Sequence, residues 1–418
     1  MSKYALAGLA LIRDVCSGTY VRDYTSAERH IHLRQAQLAD GIEGLVADEL
    51  VAQGTDSQGR HLATRGFHLY RLDADNRRFE RVCRLPCPWG TGQLLHCPSL
   101  RRALSKQDVV QLLSLNSGAM LVHSCGVVYR RAADGGSFEP RLRLRFFGLR
   151  AGRGVLYNGL TQSRQGRVFL GEYFNNARRL PVRIYASDDD GRSWYVLHEF
   201  KAGQIRHIHA VHEDPYTGQI WVCAGDTDAE SRVLCSDDGG KSFRVIGQGS
   251  QVWRCCSLLF DEEAVYWAAD TEVHAQDRYL MRYRRADQQL EKLAPLDGAV
   301  EFAVQPETAL QIYTTIRMGY GAVPDDRASV WLSDGDSRWC RIPLGARVDC
   351  TRGAASRIKV YHGAAERLAC FSFANISGLD GQLAIVPTES LKHWFVDHAH
   401  PHPAPHTRNV SVPKESRY

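Results

Sequence analysis

Apolar residues along this chain come in short bursts of strand length. Gly, Asp, Asn and Ser break them at close intervals, the pattern of many strands joined by tight turns. Two segments show the unit most clearly. Residues 184–194 read IYASDDDGRSW and residues 233–243 read VLCSDDGGKSF. Each follows an apolar strand and precedes another, YVLHEF and RVIG. Both fit S-x-D-x-G-x-S-[WF]. The fixed positions are Ser187, Asp189, Gly191, Ser193 and Trp194, then Ser236, Asp238, Gly240, Ser242 and Phe243. The pattern describes a β-hairpin turn at 187–194 and at 236–243. The carboxylate accepts from turn N–H groups, the glycine supplies positive φ, and the aromatic anchors the hairpin to the core.

Weaker copies extend the ladder. WLSDGDSRW (331–339) disturbs the spacing, and VYRRAADGGSF (128–138) is one residue short. HLYRLDADNRRFERVCRL (68–85), LMRYRRADQQLEKLAPL (280–296) and QLAIVPTESLKHWFV (382–396) keep only the strand–turn–strand shape. The equivalent strand positions are Tyr70, Tyr129, Tyr185, Cys235, Tyr283, Leu332 and Ile385. They recur about every 50 residues, the period of a four-stranded propeller blade. The chain is therefore expected to be all-β: a single β-propeller of seven blades over 1–397, or six if the irregular first unit is discounted. Residues 1–40, with the apolar run Ala5–Ile12 read as a first strand, are expected to close the ring. A pair of β-sandwiches is the competing all-β architecture, but it does not explain the even spacing. The stretch from 398 to 418, rich in His and Pro, reads as an extended or disordered arm.

The two complete turns resemble the Asp-box, or BNR, repeats of sialidase-like propellers. That family includes glycoside-active enzymes and non-catalytic members. The chain lacks the early F/Y-R-I-P motif of sialidases, and LPVRIY at 180–185 does not replace it. The resemblance thus implies the fold and a carbohydrate context, not sialidase activity. IRHIHAVHEDPYTGQIWV, GSQVWRCCSLLF and VYWAAD also resemble Asp-box proteins associated with bacterial polysaccharide gene clusters.

Composition narrows the classes. A net charge of +5 over 418 residues is too small and too scattered for a nucleic-acid reader. Arg-rich stretches such as Arg141 to Arg153 are the local exceptions. No apolar run reaches the roughly 18 residues of a membrane span. Twelve scattered cysteines without a CxxC pair point to reduced thiols and a cytoplasmic protein, with export as the alternative.

Repeat phase places a second set of residues at the channel mouth. In each blade the inner strand starts, and the second strand ends, on one face. The Asp-turns lie on the other face and are structural. The mouth should therefore collect Tyr157, Asn158, Arg206, Gln251, Trp253, Arg254 and Arg317 as substrate-binding groups. Glu172, Tyr173, His207, His209, Asp226 and Asp270 are the catalytic candidates, with Asp228, Glu272 and Asn375 nearby. His207 and His209 alternate on one strand, so both can face the channel and hold a divalent metal; His212 has the opposite parity.

Aromatics to stack on sugar rings and guanidinium groups to hold carboxylates suit a carbohydrate partner, an acidic polysaccharide included. The first expectation is a glycoside hydrolase acting on a bacterial polysaccharide, using a pair among Glu172, Asp226 and Asp270. The alternatives are a metal-assisted polysaccharide lyase, with Arg254 or Arg317 or the His pair neutralising a uronate, and a non-catalytic binding or assembly scaffold.

Overall fold

The structure, a computed structural model, describes residues 28–87, 110–148, 152–271, 274–316, 327–348, 355–363 and 367–401. Seven antiparallel sheets follow one another along the chain, each with four strands in meander order. Their first strands are Val51–Thr55, Val110–Ser114, Leu160–Gln162, Ile208–Glu213, Leu259–Phe260, Ala299–Glu307 and Arg357–Gly363. First strands of several neighbouring blades touch each other, so they line the axis of a seven-bladed propeller. All seven repeat positions read from the sequence lie on the third strand of a blade, from Tyr70 in His68–Leu72 to Ile385 in Gln382–Pro387.

The central strands are apolar on both faces, because each blade is packed between two others. Ile220–Ala224 is wholly buried. Ile220, Val222 and Ala224 face blade 3, while Trp221 and Cys223 face blade 5. This is period-two alternation in which both directions lead to core. Seven apolar clusters result, one at each of the seven blade junctions.

The N-terminal region closes the ring. Ile42–Asp48 pairs with Gln382–Pro387 as the fourth strand of blade 7, and Arg34–Ala39 adds a fifth. His30–His32 extends the outer edge of blade 1. Closure falls a few residues later than expected, and Ala5–Ile12 lies outside the described residues. After blade 7 comes the helix Thr388–His398, whose Leu391 and Phe395 pack into the junction of blades 6 and 7. His400–Pro401 then pairs with Arg338–Trp339 on the edge of blade 6. The rest of the expected arm lies outside the described residues.

Both Asp-turns join third and fourth strands, on the face away from the inner-strand starts. In the second, Asp238 Oδ1 accepts from Ser242 N–H and Lys241 N–H (both 2.9 Å) and from Ser236 Oγ (2.8 Å), and Oδ2 accepts from Ser242 Oγ (2.6 Å). In the first, Asp189 takes Ser193 N–H, Ser193 Oγ and Ser187 Oγ in the same way. Burial would raise both carboxyls, but these donors outweigh it and hold each at about 2. Phe243 is fully buried between blades 3 and 4, while Trp194 is half-buried against the blade 2–3 core. In the disturbed copy, Asp334 Oδ1 still accepts from Asp336, Ser337 and Arg338 N–H. The short copy has no such turn: Ala132 pairs directly with Gly135.

Asp238→Ala should lower stability by about 1–2 kcal/mol through these lost acceptor sites. Asp237→Ala, at the exposed neighbour, should change it by less than about 0.5 kcal/mol. Chemical denaturation midpoints at neutral pH test the contrast.

His61 and His123 are buried, and burial pushes both imidazoles down to about 4. The unfolded chain binds protons at these positions near pH 6.5, whereas the folded chain does so only near 4. Their stabilisation is therefore complete above pH 6.5 and lost as pH falls from there toward 4. Urea titrations across that range should show a declining midpoint, less steep in a His61→Gln variant.

Candidate functional site

The inner strand of blade 4 starts at Ile208, and its partner in the sheet ends at Ala224. Antiparallel pairing therefore sets His207 and His209 beside the turn that begins at Gly225. That turn is tight. Gly225 has φ +89°, and a Cβ there would lie 1.9 Å from the Glu230 carbonyl oxygen. Thr227 O accepts from Glu230 N–H and Ser231 N–H (3.0 and 2.7 Å), and the loop presents Asp226 back toward the strand start. Gln251 steadies it, donating to the Asp226 carbonyl (3.1 Å) and to Asp228 Oδ1 (2.8 Å).

His207 Nε2, His209 Nε2 and Asp226 Oδ1 form a near-equilateral triangle. The nitrogens are 3.1 Å apart, and each is 3.2 Å from the oxygen. Both histidines are 2% exposed. Each ring is fixed through its other nitrogen: His207 Nδ1 lies 3.0 Å from the Phe174 carbonyl and His209 Nδ1 lies 3.1 Å from the Cys255 carbonyl. A carbonyl only accepts, so both Nδ1 atoms carry the proton. In the neutral rings both Nε2 atoms are then bare lone pairs. Burial lowers His207, against the opposing contact with Asp226, which favours that neutral form. For Asp226, burial favours the protonated form, but hydrogen bonds and positive charge from His207 and His209, available when those rings are protonated, overcome it and hold the carboxyl far below the usual range. With both rings neutral, three acceptors converge with no donor among them, and a proton on one Nε2 or a bound cation relieves the repulsion.

Their spacing suits a divalent ion. With metal–ligand bonds of roughly 2.1 Å, atoms sharing one coordination shell lie about 3.0–3.4 Å apart. Two imidazoles and one carboxylate are a donor set that divalent transition metals accept. The Nδ1–H contacts to backbone carbonyls are the supports that orient ligating histidines. A second set, His209, Cys256 and Asp270, has its ligand atoms within 4.8 Å of one another.

Cations and aromatics surround the triangle. Arg206 Nη1 donates to Asp226 Oδ2 (2.6 Å) and its Nη2 to Asn175 Oδ1 (3.0 Å). Arg254 Nη2 bridges Asp270 Oδ2 (3.2 Å) and Asp226 Oδ1 (3.7 Å). Burial raises the Asp270 carboxyl in spite of Arg254, and Asp270 Oδ2 also accepts from the Cys256 thiol (3.4 Å). The Tyr173 ring stacks on His207 with centroids 4.1 Å apart. Burial, then the charge of Asp226, pushes the Tyr173 phenol up, so it stays protonated.

Other candidates lie apart from this cluster. Glu172 and Tyr173 leave the end of one strand in opposite directions. Glu172, 2% exposed, turns away from the histidines and is gripped by both Arg145 nitrogens, Arg183 N–H and Tyr185 OH. Every lone pair it offers is engaged in joining strands. Trp253, 1% exposed, packs on Trp267 in the junction of blades 4 and 5, because its short 3₁₀ turn aims the indole inward. Asn158 is also structural: its Nδ2 donates to Cys256 O and Ser257 Oγ, both at 2.7 Å. Asn375 Nδ2 donates to Ala355 O in blade 7. Tyr157 stands over the inner strands of blades 6 and 7, against Phe302. Arg317 and Glu272 lie outside the described residues.

Sequence reasoning passed over Arg153, Glu301, Arg357 and Lys359, which reach the same mouth. Glu301 and Arg357 sit near the starts of successive inner strands, in AVEFAV and SRIKVY, and form a two-point ion pair. Their shared phase in the repeat was the available signal.

No family model matches the chain, and no curated protein matches it. Solved structures match as β-propellers. An oligogalacturonate lyase from Vibrio parahaemolyticus aligns over 85% of this chain and 97% of its own, at 10% identity and a TM-score of 0.54. The Pan2 WD40 domain of Neurospora crassa aligns over 81% and 88%, at 10% identity and 0.48. The extracellular domain of a putative one component system from B. thetaiotaomicron aligns over 85% and 40%, at 12% identity and 0.47. The likeness to the lyase, at 10% identity, shows the fold alone.

The tautomers are directly testable. In metal-free protein at about pH 8, nitrogen-15 spectra should show Nδ1 protonated in both His207 and His209. A ring with a bare Nδ1 would contradict the geometry.

Proposed function

We propose that the channel mouth is a divalent-metal centre built on His207, His209 and Asp226, and that it acts on an acidic carbohydrate by lyase chemistry. The observation that carries this reading is the convergence of three acceptor atoms whose supporting hydrogen bonds leave no donor among them. The two Asp-turns resemble those of Asp-box propellers, in which carbohydrate activity recurs.

The chemistry is β-elimination. The proton next to a uronate carboxylate passes to solvent acting as base, a carbon–carbon double bond forms, and the glycosidic C–O bond breaks with its oxygen taking a proton from the protein, which solvent then restores. A bound metal would neutralise the substrate carboxylate and make that proton acidic. Arg206 and Arg254 add positive charge around the same point and orient the acid group. Tyr173, held protonated beside His207, supplies a proton to the departing oxygen.

One observation favours a second reading, hydrolysis. Asp226 and Asp270 both touch Arg254, and their carboxyls are pushed in opposite directions, as an acid and its partner base require. Glu172 is unsuited to that role because Arg145, Arg183 and Tyr185 engage it.

A screen of acidic polysaccharides with Mn²⁺ or with EDTA separates the readings. Lyase action yields new reducing ends together with the absorbance of an unsaturated uronate, both lost on chelation. His209→Ala should abolish turnover and Mn²⁺ binding, and Tyr173→Phe should slow turnover by about 10²–10⁴-fold with Mn²⁺ binding kept. Reducing ends without the absorbance would assign hydrolysis to Asp226 and Asp270. Binding without either signal would make the propeller a carbohydrate-recognition module.

A further inference from the structure

The segment Gly152-Arg153-Gly154 enters blade 3 at the channel mouth. Both glycines have positive φ, +100° and +86°. A Cβ on Gly154 would lie 2.7 Å from Leu144 Cδ1, and one on Gly152 would lie 3.2 Å from Asn175 N. The backbone is therefore pinned on either side of Arg153. Gly154 O accepts from Tyr173 N–H (2.8 Å), which ties the segment to the residue whose ring lies on His207.

Arg153 differs from the other guanidinium groups around the mouth. Arg206 and Arg254 are paired with Asp226 and Asp270, Arg145 with Glu172 and Arg357 with Glu301. Among the described residues, Arg153 makes no ion pair. Its Nη1 donates to Tyr157 OH (2.6 Å), and its guanidinium carbon lies 4.9 Å from the centre of the Tyr157 ring. That hydrogen bond uses one of five N–H donors. Arg357 and Lys359 approach the same ring, at 5.7 and 4.7 Å. The charge of Arg153 acts on Tyr173 beside the triad and on Glu301 in blade 6.

We propose that Arg153, held by its two glycines against Tyr157, is a second anion subsite that takes the carboxylate of the sugar next to the one at the triad. The substrate class is then a polymer with acid groups on neighbouring residues. This deepens the lyase reading and rests on it for the identity of the anion.

Calorimetric titration of the Mn²⁺-loaded full chain tests the subsite. The probes are galacturonate, glucuronate and guluronate trisaccharides, galacturonic acid alone, and neutral maltotriose. At least one acidic trisaccharide should bind, and maltotriose should not. Arg153→Ala should weaken that trisaccharide by about tenfold or more, weaken the monosaccharide less than about twofold, and leave Mn²⁺ affinity and the melting temperature unchanged. Arg153→Lys should recover part of the loss. An unchanged trisaccharide affinity in Arg153→Ala, or no acidic trisaccharide bound by the parent protein, overturns the subsite. If Mn²⁺ fails to bind while Arg153→Ala still loses the trisaccharide, the metal reading falls and the subsite stands.

Discussion

Everything in this molecule depends on apolar contact between the faces of neighbouring blades. A single four-stranded sheet with two apolar faces has nowhere to bury them. Stacking seven in a ring buries both faces of every blade, provided that the last meets the first. The junction of blades 7 and 1 is as apolar as the others, with Leu383 and Ile385 against Ala52, Ala63 and Tyr70. Ile42–Asp48 secures it by supplying the outer strand of blade 7 from the start of the chain.

The ring then determines the site. Inner strands run the same way around the axis, so their starts gather on one face, together with the ends of the second strands. His207 and His209 come from the first kind of position, Tyr173 and Asp226 from the second. The mouth is polar for a related reason: at strand ends the ladder no longer engages every backbone group. The carbonyls of Phe174 and Cys255 are turned to the histidines there, and they decide which ring nitrogen faces Asp226. Backbone left over from the fold thus becomes the support of the chemistry.

Within this mouth the charges divide into fixed and available groups. Glu172, Arg145, Glu301 and Arg357 are consumed in joining strands or blades. Asp226, Arg254 and Asp270 form a chain in which one carboxyl is held ionised and the next is pushed toward its protonated form. Arg153 lies against the Tyr157 ring without a carboxylate of its own among the described residues.

The repeat was legible in the sequence because strand and turn chemistry is local. Ser236, Asp238, Gly240 and Phe243 declare a hairpin within eight residues, and all seven repeat positions fell on third strands. Local pattern also put His207, His209 and Asp226 on one face of the propeller. What it did not reveal was direction within that face. Glu172 and Tyr173 are adjacent, yet one turns into the sheet and the other to the channel. Trp253, two residues from Gln251, goes into a blade junction. Those outcomes rest on what the neighbouring blade presents: Arg145 and Tyr185 for Glu172, Trp267 for Trp253. Arg153 and Glu301, far apart in the chain, meet the same mouth only because the ring closes. Local hydrogen bonding and alternation are written in consecutive residues, whereas the partner of a buried side chain is set by the packing of blades distant in sequence.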